Sequence, residues 1–314
     1  MSILLLGANG QVGHALREPL RAVASLDCAT RSGTLADGRA CHAVDLADST
    51  SMLRALDAIR PQIIVNAAAW TAVDRAEQET DQADRINHLA VGEIGAWAAR
   101  NDALVVHYST DYVFAGDDPV PRHENDATGP LGAYGRSKLA GEIALRASGA
   151  QHLILRTAWV YAARGQNFLL TMLRLAGERD ELRVVDDQIG APTPAHWIAR
   201  VTAEALRRTK LMTGQERELA FGTYHLTASM RCSWFEFAES ILHSAHAAGL
   251  VGKLPRVIPI STDDYPTPAQ RPRYSVLDNA KLMLVFGLQL PPWQEGLREV
   301  IAELVASQSN GEKS

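Results

Sequence analysis

Short apolar runs of strand length alternate with longer segments of helical periodicity through the first half of this chain. The runs are almost free of polar residues, which is typical of strands buried on both faces of a parallel sheet. The pattern predicts strands at residues 3–6, 26–30, 42–44, 63–65, 104–108 and 153–155. It predicts helices after residue 13 and at residues 51–59, 83–100 and 134–147. Repeated strand–helix–strand units predict an α/β fold, a Rossmann-type doubly wound parallel sheet.

The pattern changes in the second half of the chain, where helices and short strands no longer alternate regularly. Helices are predicted at residues 167–177, 194–208, 233–247 and 293–306, and short strands at residues 181–185 and 224–227. We therefore expect a nucleotide-binding Rossmann domain over residues 1–155. A smaller mixed α/β domain, mainly for substrate, is expected over residues 156–308, with the chain free to cross back to the first domain. Residues 309–314 are expected to form a disordered tail.

A glycine-rich turn follows the first predicted strand and leads into a helical pattern. Gly7, Gly10 and Gly13 permit a tight turn and let backbone N–H groups approach a pyrophosphate closely. The N-terminus of the following helix favours negative charge. The segment therefore predicts a dinucleotide site that also includes Gln11 and Val12. An ordinary strand–helix turn is the weaker alternative.

The end of the second predicted strand bears on the choice of coenzyme. A carboxylate there would hold the ribose 2′-hydroxyl of NAD(H), but the sequence reads Thr30-Arg31-Ser32. Asp27 lies too early, inside the strand. Arg31 is suited to pairing with a 2′-phosphate, so we expect NADPH, with NADH as the second possibility. A solvated loop charge is the alternative interpretation of Arg31.

A tyrosine and a lysine, Tyr134 and Lys138, stand four residues apart after a loop rich in Gly and Pro. On a helix this spacing puts both side chains on one face. A lysine beside a tyrosine favours the phenolate, so we expect a lowered Tyr134 pKa and a phenol that acts as an acid or base. Taken alone the pair is a weak signal, because the same spacing occurs by chance on many helices.

Composition excludes several classes of protein. The chain has 314 residues, 46% hydrophobic content and a formal net charge of −5, which argues against a nucleic-acid partner. No apolar run reaches membrane-spanning length, and the N-terminus does not resemble a signal peptide. Three cysteines, Cys28, Cys41 and Cys232, form no metal-binding spacing. We therefore expect a cytoplasmic protein with no membrane partner.

Taken together, the glycine turn and the Tyr134–Lys138 pair resemble the extended short-chain dehydrogenase/reductase superfamily. More specifically, the chain resembles the dTDP-4-dehydrorhamnose reductases. The resemblance spans nearly the whole chain, and its segments are residues 10–13, 65–69, 108–114, 167–175, 187–193 and 265–268.

The resemblance implies reduction of the C4 keto group of dTDP-4-dehydro-β-L-rhamnose to dTDP-L-rhamnose, the last step of a pathway to cell-surface polysaccharide. It implies that Tyr134 gives a proton to the C4 oxygen while a nicotinamide coenzyme supplies hydride. By the same pattern Lys138 holds the nicotinamide ribose and biases the tyrosine. Thr110 would hydrogen-bond the substrate oxygen.

The resemblance also assigns further contacts. Positions expected around the coenzyme are Gly10, Gln11, Val12, Asp45, Leu46, Ala69, Trp70, Thr71 and Tyr108. Asp111 and Trp159 match positions that touch the substrate, against the alternatives of turn chemistry and core packing.

Three further residues are candidates for roles around the site. Arg271, in a proline-rich loop, is suited to gripping a diphosphate, and an exposed ion pair is its alternative. Asn87 is a candidate for a water relay behind Lys138, against the alternative of a solvent-facing helix position. His107 is expected to be a satisfied strand residue with no role.

Some members of this family are dimers bridged by Mg²⁺ through glutamates. The matching positions here are Ala15, His196 and Gln294, none of which is a carboxylate. Because Mg²⁺ prefers oxygen ligands, a metal-bridged dimer is doubtful and no metal site is predicted. A monomer and a homodimer both remain open.

Two other functions compete with the reductase. A sugar-nucleotide dehydratase or epimerase shares the superfamily, but a dehydratase needs a second acid–base group where Tyr112 follows Asp111. A non-catalytic NADP-binding regulatory subunit of a methionine adenosyltransferase also shares the fold. The intact Thr110, Tyr134 and Lys138 argue against such an inactive site.

Overall fold

The structure is a computed structural model that describes the backbone of residues 1–311. Its strands are β1 (Ser2–Leu6), β2 (Ser25–Thr30), β3 (His42–Ala43), β4 (Ile63–Asn66), β5 (Leu104–Thr110), β6 (His152–Thr157), β7 (Val160–Tyr161), β8 (Glu181–Val185), β9 (Ile189–Gly190), β10 (Thr193–Pro194), β11 (Gly222–His225), β12 (Cys232–Ser233) and β13 (Arg256–Ile260). Every predicted strand is present, with bounds that differ by a few residues at most. Strand β13 and the two-residue strands β7, β9, β10 and β12 were not predicted.

The helices are α1 (Gln11–Arg21), α2 (Ser49–Ile59), α3 (Val73–Ala76), α4 (Thr80–Asp84), α5 (Ala90–Arg100), α6 (Ala133–Ala147), α7 (Phe168–Glu178), α8 (Ala195–Leu211), α9 (Gly214–Leu219), α10 (Trp234–Ala247), α11 (Ala280–Phe286) and α12 (Trp293–Gly311). A π-helical turn, Arg85–Leu89, joins α4 to α5 inside the single helix predicted at 83–100. Helix α12 continues beyond its predicted end at residue 306. Residues 312–314, the end of the predicted disordered tail, lie outside the described residues.

A seven-stranded sheet in the order β3-β2-β1-β4-β5-β6-β11 forms the centre of the molecule, and every pair in it is parallel. The strand order reverses between β1 and β4, so the crossovers on either side of that point leave a crevice at the carboxyl ends of the strands. The predicted Rossmann-type fold is confirmed. Strand β11 comes from the second half, so the chain returns to the sheet after residue 155.

Residues of the central strands alternate between two apolar layers. In β1, Ile3 and Leu5 join a core that includes α1 and α8, whereas Leu4 and Leu6 join a core that includes α2 and α5. Both faces of the sheet are therefore covered, which explains why the strands read as continuous apolar runs.

The second half adds three two-stranded pairs beside the main sheet: β7 with β10, β9 with β12, and β8 with β13. Helix α10 begins with a capping box, in which the Ser233 hydroxyl accepts from the Glu236 N–H and the Glu236 carboxylate accepts from the Ser233 N–H. This cap fixes the start of the helix next to the carboxyl end of the main sheet. Among the described residues, the helices are all too short or too polar to cross a membrane.

Candidate active site

A cavity of about 870 Å³ opens at the carboxyl ends of β1, β2, β4, β5 and β6. It brings together most of the residues that the sequence singled out. The predicted residues in its wall are Gly7, Gly10, Gln11, Val12, Arg31, Asp45, Leu46, Ala69, Thr71, Tyr108, Thr110, Asp111, Tyr134, Lys138 and Trp159. The glycine turn and the Tyr–Lys pair therefore share one cavity.

The glycine turn at one end of the cavity has no room for side chains. Gly7 has φ +77°, and a Cβ atom there would lie 2.6 Å from the backbone N of Ala68. A Cβ atom at Gly13 would run into the carbonyl oxygen of Gly7. Gly10 caps α1 without a side-chain hydrogen bond, which leaves the first N–H groups of α1 available to an anion. The turn thus fits a pyrophosphate.

Gln11 ties this turn to the second half of the chain. Its Nε2 donates to the Gln166 carbonyl at 3.2 Å, and its Oε1 accepts from Asn167 Nδ2 at 2.8 Å. Asn167 also caps α7 by accepting from the Leu170 N–H. Hydrogen bonds therefore join the glycine turn directly to the start of α7.

The loop after β2 closes the far end of the cavity. Arg31 and Ser32 are exposed and line it. Asn9 holds this loop on the glycine turn, because its Nδ2 donates to the Thr34 carbonyl at 2.9 Å and its Oδ1 accepts from the Ala36 N–H at 2.8 Å. Asp27 instead faces His42, 3.4 Å away. Arg31 therefore lines the end of the cavity where a 2′-phosphate is expected, whereas Asp27 does not.

Helix α6 carries Tyr134 and Lys138. A hydrogen bond at its first turn and close packing at two glycines fix its position. Glu77 accepts from the Ala133 N–H at 2.6 Å, at the first turn of the helix. Gly135 and Gly141 let the helix approach closely, since a Cβ atom would strike the Tyr112 carbonyl in one case and the Asn87 carbonyl in the other. Close backbone packing therefore fixes the part of the helix that carries Tyr134 and Lys138.

Tyr134 is half-buried and faces the cavity. Burial raises its pKa to about 12, opposed by a hydrogen bond with Thr110 and reinforced by the charge of Asp111. The Tyr112 ring packs edge-on against it, with centroids 5.7 Å apart. The expected lowering of the Tyr134 pKa is wrong, because burial dominates and the Lys138 ammonium group donates to the Tyr108 carbonyl and not to the phenol.

Lys138 is buried, and its ammonium group faces strand β5. Nζ lies 2.6 Å from the Tyr108 carbonyl oxygen, to which it donates, and 3.3 Å from His107 Nε2. Burial lowers the pKa of Lys138 to about 8, with the carboxylate of Glu142 opposing the shift. Lys138 is therefore close to changing its charge near neutral pH.

His107 has more contacts than the sequence suggested. It is buried, its Nδ1 lies 3.3 Å from Asn66 Nδ2, and its Nε2 faces Lys138. Burial first, and the charge of Lys138 second, lower its pKa well below the usual value. His107 is thus a satisfied strand residue, as expected, and its link to Asn66 depends on the pairing of the two residues across β4 and β5.

Thr110 and Asp111 end strand β5 next to Tyr134. The Thr110 hydroxyl donates to Asp111 Oδ1 at 3.0 Å and accepts from the Tyr112 N–H at 3.2 Å. Asp111 Oδ2 is buried without a hydrogen-bond partner. Burial raises the Asp111 pKa to about 6, opposed by hydroxyl groups of Ser275 and Thr110. Asp111 lines the cavity beside Thr110 and Tyr134, where a carboxylate can accept from a ligand hydroxyl.

Two indoles form part of the cavity wall. Trp159 stacks on Trp234 with ring centroids 3.5 Å apart and an interplanar angle of 4°. The backbone of Trp159 has φ +48°, a conformation that bulky residues rarely adopt and that is often found at functional sites. Gly190 makes room for the ring, because a Cβ atom there would overlap it.

Asn87 lies in the π-helical turn and is buried, not solvent-facing. Its Oδ1 accepts from the Trp70 N–H at 2.9 Å, and its Nδ2 donates to the Trp70 carbonyl at 3.0 Å and to Ser137 Oγ at 3.1 Å. The extra residue of a π turn is a common device for aiming such a side chain. Asn87 thus joins the segment of Trp70 to the helix of Lys138.

Three predicted site residues lie outside the cavity wall. Gly13 acts through close packing against Gly7, and Trp70 packs under Arg75, whose guanidinium carbon is 5.1 Å from the ring centroid. Arg271 forms an ion pair with Asp74 at 3.0 Å, which corresponds to the alternative considered for it. The Arg271 guanidinium, which was expected to bind a diphosphate, is therefore paired with a carboxylate of the protein itself.

Several wall residues were not predicted. They include Asn9, Thr30, Ser32, Ser109, Gln166, Phe168 and Trp234. Gln166, Phe168 and Trp234 come from the second half of the chain, and only the tertiary fold brings them to the sheet. Asn9 and Ser32 were visible in the sequence as neighbours of the glycine turn and of Arg31.

Comparison with known proteins gives consistent results. Residues 1–306 match the family model described as the RmlD substrate binding domain. The chain is 44% identical over 304 residues to a dTDP-4-dehydrorhamnose reductase of Escherichia coli, covering 97% of this chain and 98% of that protein. Its fold is similar to a crystal structure of a dTDP-4-dehydrorhamnose reductase from Clostridium acetobutylicum, with a TM-score of 0.85, 35% identity, and 97% and 99% of the two chains covered. The corresponding protein of Bacillus anthracis, solved in complex with NADP, gives a TM-score of 0.82, 34% identity, and coverage of 96% and 99%.

Proposed function

This chain belongs to the RmlD substrate-binding-domain family, and from that premise we propose that it reduces the C4 keto group of dTDP-4-dehydro-β-L-rhamnose with NADPH. The product is dTDP-L-rhamnose, and the reaction is the last step of dTDP-rhamnose synthesis. Relatives at 44% and 35% identity are named dTDP-4-dehydrorhamnose reductases, and another at 34% identity was solved in complex with NADP. The observation that carries the proposal is that the glycine turn and the Thr110, Tyr134 and Lys138 side chains share one cavity.

NADPH fits the residues at the nucleotide end of this cavity. The crowded backbone at Gly7 and the uncapped first turn of α1 suit its pyrophosphate, and Arg31 suits its 2′-phosphate. When bound, NADPH supplies the hydride that adds to the C4 carbon. The protein supplies orientation, a proton and exclusion of water.

Tyr134 is the proton donor in this proposal. Its raised pKa keeps the phenol protonated at neutral pH, so a proton is available when negative charge develops on the C4 oxygen. Thr110 stands beside the phenol and orients it. Lys138, in its charged form, stabilises the phenolate that remains after the proton has left.

The sugar would bind between Tyr134 and the stacked indoles. The stacked indoles offer the cavity an apolar surface for a sugar ring, and the Asp111 carboxylate, which also lines the cavity, can accept from a sugar hydroxyl. Arg271 contributes to the diphosphate only if its ion pair with Asp74 opens on binding. We therefore propose Trp159 and Asp111 as substrate contacts ahead of Arg271.

The competing functions fit the cavity less well. Among the described residues of its wall the carboxylates are Asp45 and Asp111, and Tyr112 occupies the position where a dehydratase would need a second acid. A purely regulatory NADP-binding protein would have no use for a phenol held next to Thr110. Three free cysteines and the use of NADPH support action in the cytoplasm.

Coupled turnover tests the proposal directly. The protein is supplied with dTDP-4-dehydro-6-deoxyglucose, a 3,5-epimerase and NADPH, and the loss of NADPH absorbance is followed while the sugar product is identified. We expect NADPH oxidation that depends on the epimerase and yields dTDP-L-rhamnose. Absence of oxidation, or oxidation without the epimerase, would overturn the proposal.

A further inference from the structure

A continuous chain of hydrogen bonds leads from the backbone just after β4 to the amine of Lys138. The Ala68 N–H donates to Asn66 Oδ1 at 3.2 Å, which fixes the direction of the Asn66 amide because a backbone N–H is always a donor. The opposite end of the amide, Nδ2, therefore faces His107 Nδ1, 3.3 Å away.

The direction of the Asn66 amide decides the tautomer of His107. An NH₂ group donates, so His107 Nδ1 must accept, and the ring proton must reside on Nε2. His107 Nε2 lies 3.3 Å from Lys138 Nζ. An ammonium group has no lone pair, so a donor aimed at Nζ is satisfied only by the neutral amine.

We propose that His107 is a positioning residue whose Nε2–H group favours the neutral amine of Lys138 and thereby sets the alkaline limit of the reduction. This inference rests on the proposed function, because the charged form of Lys138 is the one that stabilises the Tyr134 phenolate. As pH rises and Lys138 loses its proton, the amine gains the His107 hydrogen bond and the phenolate loses its counter-charge.

The other groups near Lys138 differ in whether they favour the charged or the neutral form of its amine. From β5 the Tyr108 carbonyl accepts from Nζ, and from its own helix Glu142 favours the charged form. Tyr134 lies one turn earlier on the same helix, and Arg156 of β6 pairs with Glu142 and so weakens its influence. Burial of Lys138 and the His107 donor together oppose the positive charge.

The variant His107→Gln distinguishes a His107 that donates to Lys138 from a His107 that accepts from it. Glutamine is not bound by Asn66 to one orientation, so it can turn its oxygen towards the ammonium and stabilise the charged form. We expect the alkaline limb of the pH profile of kcat/KM for NADPH, which reports the free enzyme, to move up by about one pH unit, the size expected for one hydrogen bond. His152→Gln, a histidine at the opposite end of the neighbouring strand β6, is the matched control and should leave the profile unchanged.

An unmoved or lowered alkaline limb in His107→Gln would overturn the proposal, since it would mean that His107 already accepts from the ammonium. The tautomer is tested independently of turnover by ¹⁵N NMR of histidine-labelled wild-type protein without coenzyme. We expect a proton on Nε2 and none on Nδ1 at neutral pH. The reverse tautomer would refute the inference, even if the His107→Gln protein failed to fold. If the wild type shows no reductase activity, the proposed function fails while the NMR result still decides the hydrogen-bond direction.

Discussion

Glu142 and Arg156 form a two-point ion pair that joins helix α6 to strand β6. Arg156 Nε lies 2.8 Å from one carboxylate oxygen and Nη2 lies 2.7 Å from the other, and the two side chains are 0% and 3% exposed for Glu142 and Arg156. Because Glu142 follows Lys138 by one helical turn, this pair anchors the helix that carries the active-site amine.

Breaking this pair should destabilise the protein strongly. In Arg156→Met the Glu142 carboxylate is left buried without its main partner, and we expect the free energy of unfolding to fall by about 3–5 kcal/mol. Urea unfolding followed by circular dichroism measures the change. The control Arg174→Met removes a pair with Glu178 whose side chains are 61% and 52% exposed, and it should have little effect. Similar losses in both variants would contradict the importance of the buried pair.

Removing the phenol of Tyr134 should affect chemistry more than binding. Tyr134→Phe keeps the ring and its packing but cannot donate a proton, so we expect kcat to fall by about 10²–10⁴. The Kd for NADPH, measured by fluorescence titration, should be unchanged. Tyr161→Phe is a suitable control because the buried Tyr161 hydroxyl has no hydrogen-bond partner. Normal turnover in Tyr134→Phe would show that another group protonates the substrate.

Arg31 should determine the preference between the two coenzymes. Loss of a guanidinium–phosphate contact costs about 1.5–3 kcal/mol, so Arg31→Ala should weaken NADPH binding by about tenfold or more and leave NADH binding nearly unchanged. Isothermal titration with each coenzyme measures both affinities. Arg39→Ala, in the same loop but paired with Asp37, should change neither. Equal weakening of NADPH and NADH would remove the assignment of the phosphate to Arg31.

Asp111 should give the protein a pH-dependent stability. Its folded-state pKa of about 6 lies above the value of about 3.9 in an unfolded chain, so the stability linked to its bound proton is present below about pH 4 and is lost as pH rises through about 6. Asp111→Asn is neutral throughout. The free energy of unfolding of Asp111→Asn minus that of the wild type should therefore rise by about 2–3 kcal/mol from about pH 4 to about pH 7.

Urea unfolding of both proteins across this pH range measures the difference. The exposed Asp118→Asn serves as the control and should show a difference from wild type that does not depend on pH. A constant difference for Asp111→Asn as well would show that its carboxyl group is not perturbed by burial.

The sheet could be predicted from sequence because its strands are covered on both faces. Runs such as residues 3–6 and 63–65 are apolar throughout, and the polar residues at the ends of the strands were assigned to one edge by the rules of parallel sheets. Strand β13 was missed because Arg256 and Pro259 interrupt its apolar pattern. The π turn was missed because one extra residue in a helical turn leaves no clear mark on periodicity.

The electrostatics of the site could not be predicted in the same way. The spacing of Tyr134 and Lys138 predicted that they share a helix face. It did not predict that the Lys138 amine turns towards Tyr108 and His107. That direction depends on which residues of β4 and β5 are paired, and pairing is a property of the folded sheet. For the same reason Trp234, which is distant in sequence from Trp159, was not expected to complete the wall.

The stacked indoles give the protein an intrinsic optical reporter. Trp159 follows β6 of the central sheet and Trp234 begins α10 of the second half, so their contact spans the two parts of the chain. Indoles in face-to-face contact share their electronic transitions, which makes the near-ultraviolet circular dichroism and the emission of the pair sensitive to separation. Entry of a sugar against this wall, or any widening of the cleft, would therefore be visible in the unlabelled enzyme on the time scale of a stopped-flow experiment.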